Sequence, residues 1–277
     1  MGTFDIVDDE AFLRDRDTEL LARRYQPVGP GPFPFVLHVH GGVWTNGSRT
    51  SDTVICGTLA DAGVGVLSID FRQAPRHRYP ASIADVHYGL RWLRAHAKDF
   101  GSRPDWVGGL GVSSGGHQLL LATLRPDEEA YASLSSADVG DADTKVDYLV
   151  LCWPVTDPLA RYRWARRHGR DQLVALHDAY WADESAMAHG DPHRVLESGW
   201  ARQPLPRVLL VYGTADDNVP AFITEEFIAA YRRAGGTIDV VRFDGMPHGF
   251  VRADPQTHEA RLALTTMVSF VQQQAKF

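Results

Sequence analysis

Ser113 lies at the centre of residues 111–116, which read GVSSGG. An apolar, strand-like run precedes this stretch at 106–110, and a helix-like run follows it at 117–122. A serine at so sharp a strand-to-helix turn adopts a backbone conformation that few residues tolerate, and its neighbours must lack bulky side chains. The glycines of the stretch meet that demand. The pattern predicts either an exposed, reactive serine above a helix N-terminus or an ordinary Ser/Gly-rich turn.

Apolar, β-rich runs alternate with helix-like segments over nearly the whole chain. The predicted strands are 19–25 at an edge of the sheet, 35–40, 65–69, 106–110, 148–153, 208–212 and 238–243, and the predicted helices include 51–62, 80–97, 223–231 and 258–274. Continuous apolar runs are typical of strands that are covered on both faces. The alternation therefore predicts an α/β fold with a mostly parallel central sheet and helices on both faces.

Residues 154–205 interrupt the alternation, because they contain helix-like stretches but no strand-like run. The segment leaves from the C-terminal end of a predicted strand, which is where open α/β sheets place their binding crevice. We therefore expect residues 1–277 to form a single domain that carries a helical lid at 154–205.

A serine hydroxyl is a weak nucleophile near neutral pH, so Ser113 needs a base that accepts its proton and an acid that orients this base. His248 and Asp216 are the best candidates, since each lies in a loop directly after a predicted strand. The C-terminal ends of parallel strands share one edge of the sheet, so the three side chains are expected to meet there. Asp217 is the alternative acid, but we favour Asp216 because Asp217 can cap the following helix.

Residues 40–44 read HGGVW and follow the first buried strand. Acyl transfer passes through a tetrahedral oxyanion, and each hydrogen-bond donor aimed at it contributes about 3–4 kcal/mol. Adjacent glycines let backbone amides approach such a centre closely, although a plain glycine turn is the alternative. With a reactive Ser113, the amides of Gly42, Val43 and Ser114 form the predicted oxyanion hole.

Five motifs together resemble those of α/β-hydrolases of the hormone-sensitive-lipase and acetyl-esterase type. They are HGGVW at 40–44, DFRQAP at 70–75, GVSSGGH at 111–117, DDNVP at 216–220 and HGF at 248–250. The resemblance covers roughly residues 18–275. It implies a carboxylic ester hydrolase with Ser113 as nucleophile, Asp216 as orienting acid and His248 as base.

The chain departs from that pattern at Val43, where the family usually has a third glycine, and at Val112 and Ser114 on either side of the serine. Val43 makes the loop similar to the HGGxW form of kynurenine formamidases. The resemblance therefore implies a small or medium acyl ester as substrate, with a formamide or other amide as the alternative. A ligand receptor that uses the same fold without catalysis is an alternative of a different class.

Charge and cysteine content limit the partners of the chain. The net charge of −7 argues against a nucleic-acid or anionic-membrane partner. Cys56 and Cys152 are the only cysteines, which favours a reducing compartment, and neither a secretory signal nor a membrane-spanning run is evident, so we expect a cytoplasmic protein. We expect no cofactor and no metal, because His38 and His40 share a strand face without a carboxylate or cysteine at ligand spacing nearby.

Aromatic and basic residues suggest how a substrate is held. The candidates for substrate binding are Gly41, Trp44, Trp153, Trp164 and Trp181. The arginine-rich segment 161–170 is either the solvated face of a lid helix or a contact for a carboxylate on the substrate. The last predicted strand, 238–243, is a candidate sheet edge for pairing two subunits in a homodimer.

Overall fold

An eight-stranded sheet forms the centre of the protein in a computed structural model that describes residues 3–15 and 18–275. The strands are β1 (Phe4–Asp15), β2 (Thr18–Pro27), β3 (Phe35–Val39), β4 (Gly65–Ile69), β5 (Val107–Val112), β6 (Tyr148–Cys152), β7 (Arg207–Gly213) and β8 (Ile238–Phe243). Their order across the sheet is β1-β2-β4-β3-β5-β6-β7-β8. The strands from β3 to β8 run parallel, and β2 is antiparallel to both of its neighbours. The predicted α/β fold with a mostly parallel sheet is confirmed.

Helices cover both faces of this sheet. They are α1 (Thr53–Asp61), α2 (Ala81–His96), α3 (Ser114–Leu124), α4 (Pro158–Arg167), α5 (Asp171–Tyr180), α6 (Glu184–His189), α7 (Pro192–Glu197), α8 (Ala221–Arg233), α9 (Phe250–Ala253) and α10 (His258–Gln274). In β3, Phe35 and Leu37 join one core cluster and Val36 joins the other, so the strand is buried on both sides. This two-sided burial explains the continuous apolar runs. None of the helices in the described residues is long and apolar enough to cross a membrane.

The N-terminal edge of the sheet differs from the prediction. Residues 19–25 were predicted as an edge strand, but β1 pairs with β2 and covers it. β1 is rich in acidic residues, and its ladder is supported by ion pairs such as Arg23 with Asp8 and Arg24 with Glu10. An apolar pattern could not reveal this strand, because its buried core residues, Phe12 and Leu13, both lie near its end and Phe4 is only partly buried against the core.

Helices α4 to α7 occupy the segment between β6 and β7, where the helical lid is predicted. Asp157, Asp183 and Asp191 cap α4, α6 and α7, each accepting a hydrogen bond from a backbone amide of the first turn. Side chains of these helices form a third core cluster with Trp44 and Val219, which belong to loops after β3 and β7. The segment 154–205 therefore packs on the C-terminal edge of the sheet.

Candidate active site

Ser113 lies between β5 and α3 in a strained turn. Its φ and ψ of 52° and −118° fall in a region that residues with a side chain rarely adopt, at a cost of about 1–3 kcal/mol. A Cβ atom on Gly111 would lie 2.5 Å from the Gly116 Cα, and one on Gly115 would collide with the Val39 backbone. The glycines thus allow a turn so tight that the serine projects from the end of the sheet, as the prediction of an exposed serine above a helix N-terminus requires.

The Ser113 hydroxyl, the His248 imidazole and the Asp216 carboxylate form one hydrogen-bonded chain. The Ser113 Oγ lies 3.0 Å from the His248 Nε2, and the His248 Nδ1 lies 2.7 Å from the Asp216 Oδ2. An ionised carboxylate only accepts, so the Nδ1 carries the proton and the Nε2 is free to accept from the serine. The structure therefore brings together the three side chains that the sequence selected.

Asp216 is held by its own loop. Its Oδ1 accepts hydrogen bonds from the Asn218 amide at 2.8 Å and the Val219 amide at 2.7 Å, which leaves the Oδ2 for His248. The alternative acid, Asp217, points outward and pairs with Arg170 at 3.4 Å. Contrary to our expectation, Asp217 does not cap the next helix, because α8 begins after Pro220 without a side-chain cap. The structure places Asp216, and not Asp217, against His248.

The loop after β3 lies directly against the serine. Gly42 and Val43 have φ values of 116° and 52°, and a Cβ on Gly41 would lie 3.2 Å from the Ser113 Cβ. The Ser114 side chain accepts a hydrogen bond from the Trp44 amide at 3.3 Å and so ties this loop to α3. The Ser114 amide opens α3 and has no intrahelical acceptor. The predicted donors of Gly42, Val43 and Ser114 therefore lie on two adjoining segments beside Ser113.

Comparison with known proteins assigns this chain to a family. A family model described as the α/β-hydrolase fold matches residues 36–252. The chain belongs to the α/β-hydrolase fold family. The resemblance that the five motifs carried is thereby confirmed at the level of the superfamily.

Relatives of this α/β-hydrolase include two proteins of Mycobacterium tuberculosis. The carboxylic ester hydrolase LipN is 30% identical over 84% of this chain, and the esterase LipC is 29% identical over 93% of it. The chain spans 61% of the length of LipN and 62% of that of LipC. The structure of the propionate-bound esterase Est2 of Thermogutta terrifontis superposes with a TM-score of 0.77 and 23% identity, covering 99% of this chain and 95% of Est2. At that identity the likeness shows a shared fold.

Trp44 and Trp181, which were candidates for substrate binding, are 0% and 1% exposed. The Trp44 ring stacks on Tyr180 with 4.9 Å between ring centroids, and Trp181 packs edge-on against Trp44 at 5.6 Å. The Trp44 Nε1 donates a hydrogen bond to the His117 Nδ1 at 3.1 Å. These contacts join the loop after β3 to the helices of segment 154–205, and they leave both tryptophans no free surface for a substrate in this structure.

The other two tryptophan candidates occupy different places. Trp153 follows β6 and presents its ring edge-on to His248, with 6.3 Å between the ring centroids. Trp164 is half-buried on α4, where it stacks on His168 at 5.0 Å. Of the two, Trp153 is the one that contacts the triad.

The expectation that no carboxylate lies near His38 is wrong. The Asp52 Oδ2 lies 3.3 Å from the His38 Nε2, and the His38 Nδ1 is 2.7 Å from the Ser68 Oγ. The His40 Nδ1 bonds to the Gly41 carbonyl at 2.7 Å. Within residues 3–15 and 18–275, no group of three or more histidine, cysteine, aspartate or glutamate side chains is arranged to hold a metal ion.

Sequence reasoning did not predict the burial and the contacts of two polar residues beside the site, His117 and Arg161. His117 directly follows the GVSSGG stretch, and its Nε2 bonds to the Gly190 carbonyl at 2.8 Å. Burial lowers the pKa of His117 to about 4, so its ring is neutral at pH 7 and can accept from Trp44. Arg161 on α4 is fully buried, unlike Arg163, which pairs with Glu184 at the surface. One available signal for Arg161 was its spacing of four from Ala165, which lies on the same buried face of α4.

Proposed function

We propose that this chain is a serine hydrolase that cleaves carboxylic esters through an acyl-enzyme intermediate. The observation that carries the proposal is the unbroken chain from the Ser113 Oγ through His248 to the Asp216 carboxylate, with separations of 3.0 and 2.7 Å. In this proposal Ser113 is the nucleophile, His248 the general base and Asp216 the orienting acid. The family membership and the similarity to LipN, a carboxylic ester hydrolase, support the same reaction.

The proposed reaction begins when the His248 Nε2 takes the Ser113 proton and the Oγ attacks the carbonyl carbon of the ester. The carbonyl oxygen becomes an oxyanion, which accepts hydrogen bonds from the amides of Gly42, Val43 and Ser114. The imidazolium then donates its proton to the leaving alcohol as the carbon–oxygen bond breaks, which leaves an acyl-serine. Water attacks this acyl group with His248 again as base. The bond between the acyl carbon and the Ser113 Oγ then breaks as the imidazolium returns its proton to the Oγ, and the acid product leaves.

We propose that residues 1–277 act as one domain in which segment 154–205, the predicted lid, forms a cap over this site. Tyr180 and Trp181 of the cap fill the space beside the loop after β3 that carries Gly42 and Val43 (the oxyanion loop), and Trp44 of this loop is buried against them. This filling favours a short acyl group over a long chain. Gly41 contributes by letting the loop approach Ser113, and Trp153 by packing against His248. The cytoplasmic location and the pairing of two subunits through β8 stay predictions.

Hydrolysis of p-nitrophenyl esters from acetate to decanoate, run beside N-formyl-kynurenine, tests the proposed substrate. We expect the highest kcat/KM on acetate to butyrate and a loss of turnover in Ser113→Ala. Faster cleavage of N-formyl-kynurenine than of every ester would assign a formamidase instead. Binding of the esters without turnover by the wild type would support the receptor alternative.

A further inference from the structure

Arg161 is a fully buried arginine on α4, and all of its hydrogen bonds go to neutral acceptors. Its Nε donates to the Asn218 carbonyl at 2.9 Å, and its Nη2 donates to the Asn218 side-chain oxygen. Its Nη1 donates to the His177 Nε2 at 3.1 Å. A buried charge without an ion-pair partner is costly, so this arrangement needs a reason beyond packing.

Asn218 gives that reason, because it belongs to the loop that holds the acid of the triad. The Asn218 amide donates to the Asp216 Oδ1 at 2.8 Å, while its carbonyl and side chain receive Arg161. The guanidinium therefore holds the carbonyl and the side chain of Asn218, while the backbone amide of Asn218 holds Asp216. A shift of this loop moves the carboxylate, and with it the orientation of His248.

The charge of Arg161 acts on the same carboxylate. Burial lowers the pKa of Arg161 to about 9, and the negative charge of Asp216 acts in the opposite direction, so the guanidinium is protonated at neutral pH. Asp216 is itself only 8% exposed. Each buried charge thus lies in the field of the other, which is stronger here than it would be in water.

Arg161 also lies beside the oxyanion loop. Its Cζ is 5.9 Å from the centre of the Trp44 ring, and His177, which receives its third hydrogen bond, packs edge-on against the same ring at 5.1 Å. One side chain of the cap therefore meets the loop that carries Asp216 and the loop that carries Gly42 and Val43.

We infer that Arg161 is a positioning residue that couples the seating of the cap to the alignment of the triad and the oxyanion loop. This inference rests on the proposed function for its effect on turnover. A lysine at this position keeps a positive charge but cannot span the carbonyl, the side-chain oxygen and the imidazole at once. A misplacement of about 1 Å far from the reacting atoms can lower a rate about a hundredfold, so we expect Arg161→Lys to lower kcat at least about tenfold.

The experiment measures kcat per titrated active site in Arg161→Lys, Arg161→Met and Arg163→Lys. Arg163 is the matched control, because it lies on the same helix with a side chain that is 54% exposed. We expect lower kcat with a nearly unchanged KM in both Arg161 variants and wild-type values in Arg163→Lys. If Arg161 only holds the cap together, fewer sites will titrate but each will turn over at the wild-type rate, which would overturn the inference.

A double-mutant cycle tests the route through Asn218. Asn218→Ala removes the side-chain acceptor of the Arg161 Nη2 and keeps the backbone carbonyl that accepts from the Nε. If Arg161 acts through the Asn218 side chain, Arg161→Lys in this background will cost less of kcat than it does in the wild type. Fully additive losses would contradict that route.

A readout without substrate separates this inference from the proposed function. The measurement is the NMR resonance of the His248 Nδ1 proton that bonds to Asp216, with His248→Gln as the assignment control. We expect its resonance to broaden or disappear in Arg161→Lys and to persist in Arg163→Lys. Persistence in both would overturn the inference, whereas loss in Arg161→Lys from a protein that hydrolyses no ester would support it while contradicting the proposed function.

Discussion

Replacing Asp216 by asparagine changes one atom of the carboxylate and should disable the triad. The Asp216 Oδ1 accepts from two backbone amides and the Oδ2 accepts from the His248 Nδ1. A carboxamide has only one oxygen, which will accept the hydrogen bonds from the Asn218 and Val219 amides. Its NH2 group then faces His248, where it donates to the Nδ1 and forces the proton onto the Nε2. That tautomer cannot accept the Ser113 proton.

The size of this effect follows from losing the base without losing the fold. In serine proteases the matching change lowers kcat about 10⁴-fold, which equals about 5 kcal/mol of transition-state stabilisation. We expect a loss of the same order in Asp216→Asn, with KM changed far less. The hydrogen bonds from Asn218 and Val219 remain available, so thermal unfolding should stay close to the wild type.

Asp217→Asn is the matched control for this prediction. Asp217 is the next residue in the chain, its side chain is 69% exposed, and its ion pair with Arg170 lies at the surface. Such pairs contribute less than about 1 kcal/mol, so kcat should stay within about twofold of the wild type. Steady-state hydrolysis of p-nitrophenyl acetate, normalised by active-site titration, measures both variants. An Asp216→Asn variant with more than a tenth of wild-type kcat, or an equal loss in Asp217→Asn, would refute the assignment of the acid.

Three further predictions concern the packing and the pH response around the site. Trp44→Phe removes the donor to the buried His117 Nδ1, and an unpaired buried acceptor costs about 1–3 kcal/mol. Urea unfolding should therefore show a free energy of unfolding lower by that amount. A midpoint like that of the wild type would count against this hydrogen bond. Gly111→Ala places a Cβ 2.5 Å from the Gly116 Cα, where only backbone atoms could move to make room. We expect the free energy of unfolding to fall by about 3 kcal/mol or more in the same assay, and unchanged stability would contradict this prediction. Burial lowers the pKa of His40 and His117 from 6.5 to about 4, so the unfolded chain binds protons first as the pH falls. The free energy of unfolding should therefore decrease between pH 6.5 and 4, by up to about 3 kcal/mol for each histidine, and a flat profile over that range would contradict this expectation.

The parallel part of the sheet and the three triad positions could be predicted because each has a local signal. A strand that is buried on both faces has a continuous apolar sequence, as β3 does. The loop that follows such a strand lies at the edge of the sheet where the site is. Ser113 has glycines that only a sharp turn needs, and Asp216 and His248 each follow a strand directly. Chain order and strand ends together were enough to place these side chains at one edge.

The remaining features depend on contacts that a single chain pattern does not carry. β1 is acidic and finds its cations, such as Arg23, on the neighbouring strand. The sequence allows Trp44 and Trp181 to be pocket walls or core residues, although large aromatic residues more often belong to the core. The packing of the cap on the loop after β3 shows that both are core residues. Arg161 lies in an arginine run that is otherwise solvated. Its spacing from Ala165 could indicate that it is buried, but its contact with Asn218 is visible only in the structure.

The central claim is that the Ser113 hydroxyl is activated by His248, and labelling with a fluorophosphonate tests it most directly. Intact mass spectrometry of the wild type, Ser113→Ala and His248→Gln after incubation with the reagent gives the measurement. The account predicts one adduct on Ser113 in the wild type, none in Ser113→Ala and very slow labelling in His248→Gln. An unmodified wild-type mass at high reagent concentration, or equal labelling of all three proteins, would contradict it.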